Sequence, residues 1–190
     1  MTRLLCIRHA ESVWNAQGRW QGQADPPLSD RGRADAAYAA GKLGGSVERI
    51  VSSDLVRALE TAEIIGRALG MDVDVDPGLR EVDVGEWSGL TREEIEARWP
   101  GSVEGWRAGT FRPPGSEDPD AFLARVVASL ERAAGDTRPA LVVTHGGAIG
   151  RLERRLGVHP GLPLPRLAGR WFESASDLHA LGERISLIDP

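Results

Sequence analysis

Two stretches of the chain decide its fold: LLCIRH at residues 4–9 and LVVTHGG at residues 141–147. Each is a short apolar run that stops at a polar loop, which is typical of a strand buried on both faces in a parallel sheet. The strands of such a sheet end together, and ligands bind in the crevice outside their carboxyl ends. We therefore expect Arg8, His9 and His145 to converge on one cationic site, although they lie far apart in the sequence.

The size and charge of the chain limit its class and its partners. It has 190 residues and a formal net charge of −5, which suits a single domain over residues 1–190. The acidic balance, without a block of Lys or Arg, predicts no nucleic-acid partner. No apolar run reaches the roughly 18 residues of a membrane span, and the N-terminal apolar run is too short for a signal peptide. We therefore expect no membrane partner and a cytoplasmic location, and a homo-oligomer stays open.

Strand-like and helix-like segments alternate along the chain. This alternation predicts an α/β fold with a mostly parallel central sheet and helices on both faces. Residues 101–119, rich in Gly and Pro, are expected to form the longest irregular stretch, a candidate lid. The other expected elements are a helix from a Ser29 cap through Lys42, a strand over 49–53, a helix capped by Ser53 or Asp54 and ended by Gly70, an edge strand at 73–75, a short helix after Thr91, helices over 120–134 and 147–156, a strand over 140–144, and one or two strands or a short helix in 170–188.

Four motifs follow one another in a fixed order: RHAESVWN at 8–15, SSDLVRALETA at 52–62, LREVDVGEWSGLT at 79–91 and VVTHGG at 142–147. Together they resemble the histidine phosphatase superfamily, which includes the cofactor-dependent phosphoglycerate mutases. One departure is Ala10, where the motif more often has Gly. The resemblance implies a phosphoglycerate mutase-like fold and a phosphate monoester as the small-molecule partner.

The resemblance also assigns roles to the motif residues. His9 would be the nucleophile that forms a phosphohistidine, and Glu81 would protonate the leaving oxygen and then activate water. Phosphoryl transfer depends largely on positioning and fixed positive charge, which Arg8, Arg57 and His145 would supply. The forked guanidinium groups suit the equatorial oxygens of the phosphoryl group.

A second set of residues is predicted to bind the substrate. Gly146 and Gly147 open a helix, where free N–H groups favour an anion, and Asn15 adds a neutral donor. Gln21 and Gly22 match the substrate loop of the family by position, although a plain glycine-containing turn is the alternative for both.

No metal and no cofactor are expected. The histidines show no paired helical spacing, and the one cysteine, Cys6, lies in the first predicted strand as a core residue. His159 and His179 are interpreted as surface histidines without partners. The tryptophans near the loops are candidates for an apolar wall around the non-phosphate end of the substrate.

Three functions compete. The first is a metal-independent phosphomonoesterase acting on a small cytosolic metabolite, and the second is a phosphoglycerate mutase with the same catalytic residues. Mutases of the family carry Arg and Tyr where this chain has Val82 and Val84, and a second Arg at the position of Ala108, which favours the phosphatase. The third is a non-catalytic module that binds a phosphorylated ligand or regulates, which the intact catalytic positions disfavour.

Overall fold

The computed structural model describes residues 1–174 and 177–188, and within these ranges the chain forms an α/β fold. The strands are β1 (Thr2–Arg8), β2 (Arg49–Ser52), β3 (Val73–Val75), β4 (Ala140–Thr144), β5 (Ala168–Ser174) and β6 (Leu178–Ser186). The helices are α1 (Val13–Ala16), α2 (Asp30–Leu43), α3 (Val56–Leu69), α4 (Arg92–Arg98), α5 (Ser102–Ala108), α6 (Pro119–Ala134) and α7 (Gly146–Arg155). Two single 3₁₀ turns, Pro77–Leu79 and Gly85–Trp87, lie between β3 and α4.

The strands of the described ranges form one six-stranded sheet in the order β3-β2-β4-β1-β5-β6. The first four strands in this order run parallel, and β5 and β6 add an antiparallel edge. The predicted fold class, a mostly parallel sheet in a phosphoglycerate mutase-like α/β fold, is confirmed. The assignment of all of residues 1–190 to one domain stays a prediction.

Both faces of the sheet are covered by helices, which explains the unbroken apolar runs. Side chains alternate between the two faces of a strand, so Leu4 and Cys6 pack with α6 and α7 while Leu5 and Ile7 pack with α2 and α3. All four side chains are buried. Burial raises the pKa of the Cys6 thiol, as expected for an unreactive core residue.

The start of α3 differs from the prediction. Its N-cap is Leu55, not Ser53 or Asp54, and Leu55 makes no capping bond with its side chain. The Asp54 carboxylate instead binds the Arg80 guanidinium, with Nε and Oδ1 2.7 Å apart. The free backbone N–H of Val56 donates to the carboxylate of Asp25 at 2.6 Å, so a distant loop supplies the cap.

The stretch 101–119 is less irregular than predicted. It contains the two-turn helix α5, which Gly101 and Gly109 bound with positive φ angles of 76° and 75°. Val103 is buried in the core and Trp106 packs against it, so burial of this apolar face stabilises a helix that the Gly and Pro content concealed. The irregular part is confined to 109–118.

The tail adds two antiparallel strands, one of the alternatives predicted for 170–188, although residues 175–176 of that segment lie outside the described ranges. β5 and β6 place Arg170 and Arg184 on either side of the fully buried Glu153 of α7, each in an ion pair with it. In the described ranges there is no helix long and apolar enough to cross a membrane.

Candidate active site

The register of β1 and β4 brings the two motif histidines together. Arg8 pairs with Thr144 in the parallel ladder, and the backbone N–H of His9 donates to the carbonyl of Thr144 at 2.9 Å. The next residue of each strand therefore leaves the sheet at the same edge. The ring centroids of His9 and His145 lie 5.2 Å apart with an interplanar angle of 61°. The expected convergence of the two strand ends is present in the structure.

The tautomer of His9 follows from its two ring contacts. Nδ1 lies 2.6 Å from the carbonyl oxygen of Ala10, so it carries the proton and donates. Nε2 accepts from the Arg57 Nε at 3.2 Å. Burial, with Arg57 and Arg8 close by, holds the pKa of His9 well below its usual value. The ring is therefore neutral at physiological pH, and Nε2 keeps the lone pair that a nucleophile needs.

Arg57 is a buried cation held by backbone carbonyls. Its Nη1 donates to Ala24 and its Nη2 to Gly22, both at 2.7 Å, while Nε faces His9. Burial lowers the pKa of Arg57 to about 10, which leaves the group charged at neutral pH. Gly22 has a φ of 50°, and a Cβ there would lie 2.7 Å from the Val84 side chain. The absence of a side chain at Gly22 thus lets its backbone lie close to Val84, and its carbonyl helps to position Arg57.

Arg8 and His145 also lie close to His9. Arg8 Nη1 donates to the Leu164 carbonyl at 2.7 Å. His145 is fully buried and its Nε2 lies 3.0 Å from the Ser53 hydroxyl, while Nδ1 has no partner in the described part of the chain. Burial, followed by the nearby Arg57, holds the pKa of His145 well below its usual value. The ring is therefore neutral in these surroundings, and the predicted role as a second cation requires the charge of a bound phosphate dianion.

Glu81 is held by two backbone N–H groups. Its Oε1 accepts from Val82 at 2.9 Å and its Oε2 from Gly147 at 2.8 Å, at the start of α7. A Cβ on Gly147 would lie 2.2 Å from Oε1, so only glycine allows this approach. The same absence of a side chain at Gly146 leaves room for Arg8, whose Cδ lies 3.3 Å from the position of a Cβ.

Sequence reasoning missed the residue that holds the Glu81 segment. Arg125 of α6 donates to the backbone carbonyls of Gly78, Arg80 and Glu81 at 2.9, 2.7 and 2.8 Å. Its guanidinium is also paired with Glu117, with Nε and Oε1 2.6 Å apart. Backbone carbonyls leave no sequence signature, so only the unexplained Arg on an apolar helix could have pointed to it.

Ser12 organises the two polar residues predicted to bind substrate. Its hydroxyl lies 2.8 Å from Gln21 Oε1 and 3.2 Å from Asn15 Oδ1. Ser12 and Asn15 also form a capping box at α1, in which Asn15 Oδ1 accepts from the Ser12 backbone. The amide oxygens are thus engaged within the protein, which leaves the amide nitrogens to donate. Both residues line the cleft described next.

The residues around His9 open into a cleft of about 830 Å³. It is lined by all the predicted site residues except the buried His145, and volumes of this order are typical of small-molecule sites. Trp20, Trp106 and Phe111 form an apolar wall backed by Trp87, with the ring centroids of Trp20 and Trp87 4.9 Å apart.

The interpretation of His159 as a histidine without partners is wrong, because His159 lines the cleft and its ring accepts a hydrogen bond from the Gly161 N–H. In the described ranges no three His, Cys, Asp or Glu side chains are grouped to hold a metal ion.

Residues 4–168 match the model of the histidine phosphatase superfamily, branch 1. The chain therefore belongs to this superfamily, and its class within it is that of the phosphatases, which hydrolyse phosphoric monoesters.

The chain is similar to phosphatases and to a probable mutase of this superfamily. Glucosyl-3-phosphoglycerate phosphatase of Mycolicibacterium vanbaalenii is 38% identical over 205 residues, covering 98% of this chain and 90% of the relative. The probable phosphoglycerate mutase GpmB of Salmonella choleraesuis is 39% identical over 168 residues, covering 80% of this chain and 73% of the relative. The structure of mycobacterial glucosyl-3-phosphoglycerate phosphatase Rv2419c with VO3 has a TM-score of 0.84 at 33% identity, covering 94% of this chain and 96% of that one.

Proposed function

We propose that this phosphatase hydrolyses a small phosphorylated metabolite through a phosphohistidine on His9, with Glu81 as proton donor and without a metal ion. The observation that carries the proposal is the His9 ring, with Nδ1–H bound to the Ala10 carbonyl and Nε2 unprotonated beside the Arg57 guanidinium. This arrangement presents a neutral nucleophile next to a fixed cation, which an in-line attack on a phosphate dianion requires.

The reaction follows in two steps. Nε2 of His9 attacks phosphorus, the bond to the ester oxygen breaks, and Glu81 gives its proton to the leaving alkoxide. Glu81, now a carboxylate, then takes a proton from a water molecule that attacks the phosphohistidine, which releases inorganic phosphate. Arg8, Arg57 and the Nδ1 of His145 balance the charge of the equatorial oxygens, together with the N–H groups that open α7.

The substrate has a sizeable group beyond its phosphate. The cleft of about 830 Å³ exceeds the volume of one phosphoryl group by far, and its wall of Trp20, Trp106 and Phe111 suits the body of an organic ester. Glucosyl-3-phosphoglycerate, named for the mycobacterial relatives, is the first candidate. A screen of phosphorylated metabolites with release of inorganic phosphate as readout, with this compound included, tests the assignment.

Hydrolysis is expected to need no divalent metal. Arg8, Arg57 and His145 supply the positive charge that Mg²⁺ supplies in other phosphoryl transferases. Chelation should leave kcat/KM unchanged, and vanadate, which adopts a trigonal bipyramidal geometry, should inhibit well below the substrate concentration. An activity that a chelator abolishes and vanadate does not touch would rule out this site.

Transfer of the phosphoryl group from the phosphohistidine to water is expected to be faster than its transfer to a phosphoglycerate molecule. Val82, Val84 and Ala108 line the cleft, and these positions lack the cationic and hydroxyl groups of the mutases. The phosphoenzyme should therefore release inorganic phosphate faster than it converts 2- into 3-phosphoglycerate, as a coupled assay primed with 2,3-bisphosphoglycerate measures. Efficient interconversion of the two isomers would assign the chain to the mutases.

A further inference from the structure

The outer part of the cleft carries arginines in two different situations. Most of the cleft arginines other than Arg8 and Arg57, which lie beside His9, are paired with carboxylates of the protein itself. These pairs are Arg19 with Glu94, Arg107 with Glu104, Arg112 with Asp118 and Arg184 with Glu153. The charge of these four arginines is largely neutralised by carboxylates of the protein, so none of them needs a charged ligand.

Arg151 and Arg154 of α7 also line the cleft but lack such a pairing. Within residues 1–174 and 177–188 neither side chain makes an ion pair or a hydrogen bond, whereas the carboxylate of Glu153 on the same helix is already paired with Arg170 and Arg184. An unpaired cation in a cleft is free to bind an anionic group of the substrate without breaking a bond of the protein.

A second donor lies beside Arg154. A Cβ built on Gly150 would be 3.7 Å from both Arg154 Nη1 and His159 Nε2, so the two nitrogens converge above the same bare backbone. His159 Nδ1 accepts from the Gly161 N–H at 3.0 Å, and burial with Arg154 nearby lowers the pKa of His159. The neutral ring therefore carries its proton on Nε2 and donates from it.

The spacing along α7 sets the distance between this cluster and the reacting phosphate. Gly150 follows Gly146 and Gly147 by about one helical turn, or roughly 5 Å along the axis. Side chains on a helix lean toward its N-terminus, which brings the Arg154 guanidinium back over Gly150. Two anionic groups a few bonds apart in one small molecule span such a distance.

We propose that Arg154 and His159, with Arg151 at the edge, bind a carboxylate of the substrate about one helical turn from the transferred phosphoryl group. The guanidinium Nη1 and the imidazole Nε2 donate to the two carboxylate oxygens, and Gly150 leaves room for them. The substrate class is therefore a phosphorylated hydroxy acid with its carboxylate close to the phosphate. This inference rests on the proposed phosphatase function and adds a specificity site to it.

The test compares two ligands that differ in the carboxylate: 3-phosphoglycerate and glycerol 3-phosphate. Each is used as a competitive inhibitor of p-nitrophenyl phosphate hydrolysis, so binding is measured whether or not the ligand itself turns over. The wild-type enzyme should bind 3-phosphoglycerate more tightly than glycerol 3-phosphate. Arg154→Gln should weaken that binding about tenfold, the order expected for one partly exposed charge-assisted contact, and leave glycerol 3-phosphate within about twofold.

Arg155→Gln is the matched control. Arg155 is the next residue of α7, is exposed and does not line the cleft, so the same loss of charge there should leave both inhibition constants unchanged. Arg151→Gln should add a smaller loss for 3-phosphoglycerate. Equal weakening of both ligands by Arg154→Gln, equal effects of Arg155→Gln, or no wild-type preference would each overturn the carboxylate site while the aryl phosphatase activity persists. Absence of aryl phosphate hydrolysis in the wild type would instead contradict the proposed function.

Discussion

Replacement of His9 by Ala should abolish formation of the covalent intermediate and lower kcat/KM by roughly 10⁴- to 10⁶-fold, the range found when a nucleophile is removed. His9 Nε2 is the unprotonated ring nitrogen beside Arg57, and its orientation depends on the bond from Nδ1–H to the Ala10 carbonyl. Quenching of the wild-type enzyme during turnover should trap a phosphoryl group that is labile in acid and stable in base. The measurement is labelling with ³²P-substrate followed by acid and base treatment.

His179→Ala provides the matched control for the loss of a histidine. His179 is exposed on β6 and does not line the cleft, so that variant should label and turn over like the wild type. Thermal unfolding of the His9→Ala protein shows whether the fold is retained. Labelling that survives in His9→Ala, or a label with the stability of an acyl phosphate or a phosphoserine, would contradict the assignment.

Replacement of Glu81 by Gln should produce a loss that depends on the leaving group. A general acid contributes about 10²- to 10⁴-fold where the leaving oxygen must be protonated in the transition state. Gln keeps the size and polarity of Glu81 but cannot give a proton. With an alkyl phosphate, kcat/KM should therefore fall by that factor. With an activated aryl phosphate, whose phenolate departs without help, kcat/KM should fall much less, while kcat drops because the water that attacks the phosphohistidine loses its base.

Two further variants make the Glu81 result specific. Glu86→Gln removes an exposed carboxylate from the same segment, outside the cleft, and should leave both substrates unaffected. Gly147→Ala would place a methyl group 2.2 Å from Glu81 Oε1 and displace the carboxylate, so it should reproduce the leaving-group pattern. An equal loss of kcat/KM for both esters in Glu81→Gln would leave Glu81 as a residue that only shapes the pocket.

Glu11 is a poor substitute for Glu81 as the acid. Its carboxylate is committed to the protein, with Oε1 accepting from the Ser29 hydroxyl at 2.9 Å and Oε2 3.0 Å from the Arg166 guanidinium. A proton donor held in this way would have to break an ion pair for each turnover. The structure therefore concentrates the expected acid and base chemistry on Glu81.

Local sequence was enough for the parts of the site that depend on strand ends and helix starts. The segments before His9 and His145 are apolar because both faces of β1 and β4 are covered by helices, and an unbroken apolar run can be recognised in the sequence alone. The Gly pair that opens α7 directly after His145 was predicted as well, because a helix start after a strand end is also a local pattern. The expected roles of these residues in catalysis stay predictions until the variants are measured.

Other features were hidden because their cause lies in a distant segment. The cap of α3 comes from Asp25, since Asp54 is taken by Arg80. The helix α5 exists because Val103 and Trp106 find a core to pack against, which its Gly and Pro neighbours do not reveal. His159 acquires a place in the cleft only through the path of the chain after α7.

By itself, then, the sequence determined the alternation of the main strands and helices, the edge of the sheet at which the site lies, and the residue types that gather there. Only the tertiary structure decided which nitrogen of His9 is free, how Arg125 holds the Glu81 segment, and which cleft arginines remain unpaired. The physical reason is that hydrophobic periodicity is a local property of the chain. Hydrogen bonds to backbone carbonyls and ion pairs between distant side chains depend instead on how the elements pack, and packing leaves no repeating pattern in the sequence.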